Sequence, residues 1–128
     1  MNILLVDDEE VVLKSLGRFL TRCGHRLRTA PDGVEALRCV EEETPDVVIS
    51  DVRMSDVDGL DLLERVKGRF PSLPVVLITG HWNREVAASA RRKGVYDCLR
   101  KPVRIEDLMA VLERVKEGER DISKERSK

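Results

Sequence analysis

Three short runs, Ile3 to Val6, Val47 to Ile49 and Val75 to Ile78, contain only apolar residues, and each is followed by a stretch with helical periodicity. A strand with one wet face would alternate polar and apolar side chains; a run apolar on consecutive residues belongs to a strand covered on both faces. The repeated strand-then-helix order predicts an α/β fold, a parallel sheet with helices packed on each side.

The helical stretches follow from spacing and caps. A first helix is predicted over Glu9 to Cys23, with Val12, Leu16, Phe19, Leu20 and Cys23 on one face and Gly24 ending it. His25 to Thr29 reads as a weak, charged strand, suited to the outer edge of the sheet. Asp32 caps a second helix running to Glu42, and Asp58 opens a third with Leu60, Leu63 and Val66 inward. A fourth helix is expected over Arg84 to Lys93, ending at Gly94, then a fifth strand over Tyr96 to Leu99. The fifth helix would bury Ile105, Leu108, Met109, Leu112 and Val115. Residues 1–116 form one expected domain, and 117–128 a charged tail or linker with too little apolar surface to order itself.

Bulk properties exclude several classes of function. Lys and Arg total 23 against 24 Asp and Glu, so there is no overall basic field for direct nucleic-acid binding or for an anionic membrane. No apolar run reaches the roughly 18 residues of a membrane span, and Met1 to Val6 runs into acidic residues rather than a secretory signal, so a cytoplasmic location is expected. Cys23, Cys39 and Cys98 lack CxxC spacing and read as reduced packing residues. Neither GxGxxG nor a Walker loop is present, which disfavours a nucleotide or flavin binder. The DVDG at Asp56 to Gly59 fails as a calcium loop, because the register would put Met54 first and Arg65 twelfth where acidic ligands are needed.

The chemistry gathers at the strand ends. Asp7 and Asp8 follow the first strand, Asp51 the third, Thr79 the fourth and Lys101 the fifth. In open parallel sheets this edge is where ligands bind. Three crowded carboxylates call for a compensating cation, and all-oxygen donors without His or Cys favour a hard ion such as Mg2+. Lys101 and Thr79 suit phosphoryl oxygens, and Asp51 suits nucleophilic attack that forms an acyl phosphate.

The Asp7-Asp8 pair, Asp51, Thr79-Gly80 and Lys101-Pro102, in this order and spacing, resemble the receiver domains of two-component response regulators over about residues 1 to 116. The runs DVRMSDVDGLDLL and GVYDCLRKP look like receivers attached to transcriptional or nitrogen-regulatory outputs. The resemblance implies a doubly wound, flavodoxin-like sheet of five strands in the order 2-1-3-4-5, with five helices on both faces. It implies Asp51 as phosphoacceptor, Mg2+ held by Asp7, Asp8, Asp51 and the backbone carbonyl of Arg53, and contacts from Thr79 and Lys101 to the phosphoryl group. It further implies a cis Lys101-Pro102 bond, a sensor histidine kinase or phosphotransfer protein as donor, and a downstream output domain or protein. Docking, or phosphorylation-dependent homodimerisation, would use the face of the fourth helix, fifth strand and fifth helix.

Two positions depart from the pattern: Ser55 where proline is common, and Cys98 where an aromatic switch residue is usual, with Tyr96 or Trp82 as substitutes. They leave open a receiver-like docking domain that is never phosphorylated. A haloacid dehalogenase-type phosphatase also uses a strand-end Asp, Mg2+ and Lys, but it needs a second Asp two residues on, where Arg53 stands.

Overall fold

The computed structural model describes residues 1–54 and 57–118. Ser55, Asp56 and residues 119–128 lie outside the described residues, and with them the departure at Ser55 and nearly all of the charged tail.

Five strands, β1 (Asn2–Val6), β2 (Arg26–Ala30), β3 (Val47–Asp51), β4 (Val75–Thr79) and β5 (Asp97–Arg100), form one sheet. Every pairing is parallel, and the order is β2-β1-β3-β4-β5. The helices are α1 (Glu10–Arg22), α2 (Gly33–Glu42), α3 (Gly59–Arg69), α4 (Arg84–Arg92) and α5 (Ile105–Lys116). Doubly wound order and helix count agree with the sequence-based expectation.

Strand alternation divides the core in two. Leu4, Val6, Val48 and Leu77 point to one face, where Ala36, Cys39 and Val40 of α2 and Leu62, Leu63 and Val66 of α3 cover them, with Ala90 of α4. Ile3, Leu5, Val47, Ile49, Val76 and Ile78 point to the other, under Leu20 of α1 and Leu108, Val111 and Leu112 of α5. Successive side chains serve opposite layers, which is why the strands read as continuous apolar runs.

At the edge, β2 carries Arg26 and Arg28, paired with Glu43 and Glu42, so charge rather than a neighbouring strand protects the exposed backbone. Gly24 and Gly94 adopt φ of 89° and 87° just past α1 and α4, the left-handed turn expected of them. The carboxylates of Asp32 and Asp58 accept the backbone N–H groups of Glu35 and Asp61, capping α2 and α3. Asp32→Ala is expected to cost about 1 kcal/mol in a denaturant melt, the usual value of an N-cap.

Three expectations are corrected. Strand β5 spans Asp97–Arg100 rather than Tyr96 to Leu99. In α5, Ile105 and Met109 are 45% and 52% exposed, and Val111 is buried in their place. Leu108, Val111, Leu112 and Val115 make the narrow stripe that one helix can turn to a sheet, leaving Met109 on its flank and Ile105 at the open end. Cys23 is exposed at the end of α1 rather than part of the core; Cys39 is buried and Cys98 half-buried, and all three are thiols. Helix α4 is the shortest, nine residues, and buries Ala90 alone.

Candidate functional site

The parallel order brings the carboxyl ends of β1, β3, β4 and β5 to one edge, and the residues there come from four separate parts of the chain. Asp7 follows β1 and is fully buried, Asp51 ends β3 at 5% exposure, and Thr79 ends β4 at 1%. Burial of three polar side chains at one edge requires partners. Lys101, just past β5, is the main one.

Its ammonium lies 2.9 Å from Asp51 Oδ2, 3.0 Å from Asp7 Oδ2 and 3.1 Å from Glu9 Oε1. The Lys101 backbone is fixed by its N–H donating to the Thr79 carbonyl at 3.0 Å, and the Lys101-Pro102 peptide is cis, as the resemblance implied. Asp8 is exposed at the rim. Carboxylate oxygens of Asp7, Asp8, Glu9 and Asp51 all lie within 4.8 Å of one another, an all-oxygen set suited to a hard divalent cation. Glu9 is the member that sequence reasoning missed; its signal is the unbroken acidic run Asp7 to Glu10 at a strand end.

Burial raises the Asp7 carboxyl above its ordinary value. The Glu9 N–H donating to Oδ1 at 2.9 Å and the Lys101 ammonium oppose the rise, and the Asp51 charge adds to it. Asp7 Oδ2 is in charge contact with Lys101, yet no donor is aligned on it as a hydrogen bond. For Lys101, burial works to lower the ammonium, but the carboxylates of Asp51, Asp7 and Glu9 around it outweigh that and hold the group well above its usual range. It is therefore charged throughout neutral pH.

Thr79 Oγ1 accepts the His81 N–H at 3.0 Å, tying the hydroxyl to the loop ahead of α4. The Arg53 N–H donates to Asp51 Oδ1 at 3.3 Å, which places the backbone of Arg53 beside the cluster while its side chain is exposed. Gly80 does not adopt positive φ, and a Cβ there would meet nothing closer than Lys101 Cβ at 3.8 Å, so its turn does not require glycine. A cavity of about 570 Å³ lies at the opposite end of the sheet, beside Met1, Asp46, Pro74 and Tyr96, away from these carboxylates.

A sequence model of the response regulator receiver domain matches residues 3–113. The chain belongs to the response regulator receiver family. Over 112 residues this receiver domain is 39% identical to the DNA-binding transcriptional regulator NtrC of Escherichia coli K12, covering 88% of the chain and 24% of that protein. Over 102 residues it is 41% identical to the transcriptional regulatory protein GlrR of the same organism, covering 80% of the chain and 23% of the relative. The chain thus spans about a quarter of the length of the curated relatives it matches. Among solved structures, the receiver domain of NtrX from Brucella abortus aligns with a TM-score of 0.83 at 42% identity, over 90% of this chain and 98% of that one. The chemotaxis protein CheY4 of Vibrio cholerae aligns with the same score at 29% identity, over 89% and 97%. Among the described residues no helix of the receiver domain is long and apolar enough to cross a membrane.

Proposed function

We propose that this receiver domain is a phosphorylation switch in which Asp51 accepts a phosphoryl group beside a magnesium ion held by Asp7, Asp8, Asp51 and the backbone carbonyl of Arg53. The observation that carries this reading is the Lys101 ammonium, 2.9 Å from Asp51 and 3.0 Å from Asp7, inside a cluster of four carboxylates. The residues fit the metal: Asp7 Oδ2 is buried with no aligned donor, the atom a cation would satisfy. Magnesium, when bound, neutralises charge on the carboxylates and on phosphoryl oxygens.

The remaining work falls to the chain. A carboxylate oxygen of Asp51 attacks the phosphorus of a phosphohistidine on a sensor histidine kinase or phosphotransfer protein. The new O–P bond forms as the P–N bond breaks, and the ring nitrogen keeps the electron pair. Lys101 follows the charge onto a phosphoryl oxygen. Thr79 donates its hydroxyl to another, which rearranges the bond now made with the His81 N–H. That exchange moves the loop from Gly80 to Asn83, with α4 and β5, and shifts the population between two conformations read by an output domain or protein. The domain catalyses only its own phosphorylation and dephosphorylation, in the cytoplasm. Residues 1–116 are the switch and 117–128 a tail or linker.

The test is intact mass after incubation with a small-molecule phosphodonor and magnesium. One acid-labile phosphoryl adduct is expected, absent from Asp51→Asn and from metal-free samples. A folded, magnesium-binding native chain that gains no adduct would overturn the reading in favour of a docking domain.

A further inference from the structure

Among the described residues three carboxylates surround the Lys101 ammonium, and the proposed cycle asks two of them to change partners. Magnesium claims Asp7, whose Oδ2 is now 3.0 Å from Lys101 Nζ, and phosphoryl transfer claims an oxygen of Asp51, now 2.9 Å away. Two cations in contact with one carboxylate oxygen repel each other at short range, so Lys101 gives up Asp7 as the metal arrives. Glu9, 3.1 Å from the ammonium, is the remaining partner, and in that reading it is neither a ligand nor the phosphoacceptor.

The backbone places Glu9 for this use. It stands at the N-cap of α1 with φ −90° and ψ 109°, and its carbonyl accepts the N–H groups of Val12 and Leu13. Polar side chains at this position commonly cap the first turn, but that of Glu9 makes no such bond. It reaches instead to Lys101, 92 positions away in the chain. Its N–H donates to Asp7 Oδ1 at 2.9 Å, so the residue that orients one candidate metal ligand also holds the lysine. With its side chain 61% exposed, while Asp7 and Asp51 are buried, Glu9 is free to follow the ammonium as they are not.

We propose that Glu9 is a positioning residue for Lys101, keeping the ammonium at the site while the metal and the phosphoryl group take its other partners. The inference rests on the phosphorylation reading above. In the metal-free chain Lys101 has Asp7 and Asp51 as well, and loss of Glu9 costs little there. In the loaded chain Glu9 is the partner left, so its loss falls on that state and works against metal binding. Contact, not charge, is what the role requires. Aspartate keeps the charge but is one methylene shorter, and at an N-cap it is placed to accept the N–H groups of the first turn of α1 instead. Glutamine loses the charge but keeps the reach and an oxygen that accepts from the ammonium.

The readout is the Lys101 ammonium signal in a proton–nitrogen correlation spectrum of the isotopically labelled full chain, assigned by its absence from Lys101→Arg. Ammonium protons held in hydrogen bonds exchange with water slowly enough to be seen, whereas solvated ones are broadened away. Without metal, the signal is expected in the native chain, Glu9→Asp and Glu9→Gln alike. At saturating magnesium it should persist in the native chain and in Glu9→Gln and vanish from Glu9→Asp, whose magnesium affinity by calorimetry should fall by up to about fivefold, the range for losing one exposed ion pair. A signal that survives loading in Glu9→Asp would overturn the proposal. So would one that vanishes from Glu9→Gln and stays in Glu9→Asp, because charge would then be the cause. If the native chain binds magnesium and gains the phosphoryl adduct while Glu9→Asp matches it in signal and affinity, the switch stands and the role of Glu9 falls. A native chain that binds no magnesium overturns both.

Discussion

Asp7→Asn is expected to raise the melting midpoint of the metal-free domain at neutral pH and to erase the further rise that magnesium gives the native chain. Burial lifts the folded-state pKa of Asp7 above its unfolded value of 3.8. Between those two values the folded state binds more protons than the unfolded one, so stability falls as pH rises through that window. Above that window the whole cost is present. Asparagine keeps an oxygen for the Glu9 N–H and has no charge to desolvate, while Lys101 retains Asp51 and Glu9. Below the window the native chain and the variant should converge. In the native chain, magnesium at a hundredfold excess over its dissociation constant should add about 2.7 kcal/mol, on the order of 10 °C for a domain of this size. Thermal melts at neutral and acid pH, with and without magnesium, give all four values. A variant that melts no higher than the native chain without metal would show that Asp7 is not strained by burial, and one that still responds fully to magnesium would show that it is not a ligand.

The second large effect is steric. Gly59 is the first residue of α3, and a Cβ built on it would lie 2.2 Å from the Asp51 carbonyl oxygen and 2.7 Å from Val52 Cα. Those are backbone atoms of the strand end that carries Asp51, and the Gly59 N–H already donates to the Val52 carbonyl at 2.8 Å. Neither side can yield without displacing the site. Gly59→Ala is expected to cost about 3 kcal/mol or more, the upper range for overpacking, and to weaken magnesium binding by moving Asp51. Gly68, in the same helix, has nothing within 4 Å of a built Cβ. Gly68→Ala should stabilise the domain by roughly 0.5–1 kcal/mol, because only the helix preference of alanine is left to act. Urea melts of the two variants decide it: equal shifts, or shifts of the same sign, would show that close approach to β3 is not what holds glycine at 59.

Much of this was legible in the sequence because each signal was local. Val47 to Ile49 is apolar on consecutive residues since its neighbours in the chain face opposite layers, and Asp32 and Asp58 announce helices because a cap acts within one turn. The carboxylate cluster could be assembled on paper because all its members sit at strand ends. Reading became less reliable where distant contacts decide. Whether Met109 faces the sheet depends on how α5 is rolled, which Leu108, Val111 and Leu112 settle together. Glu9 reached the site through a long side chain whose direction its position in the chain does not fix. A groove beside Cys98 needed α4 and β5 side by side. In the sequence, Cys98 is a small residue where a ring is usual; in the fold, it lines a groove together with Trp82.

Helix α4 has one fully buried residue, Ala90, with Val86 half-buried against the same core. Elements with so little buried surface open at low cost, and the cost sets how often they open unprompted. If α4 is the moving part of the proposed switch, so light an anchor would give it a built-in leak, with some molecules holding the displaced arrangement without any input. The same light anchoring lets a modest covalent change tip the balance. Sensitivity and background output would therefore share one cause, the small area that α4 buries, so neither could be lowered without the other.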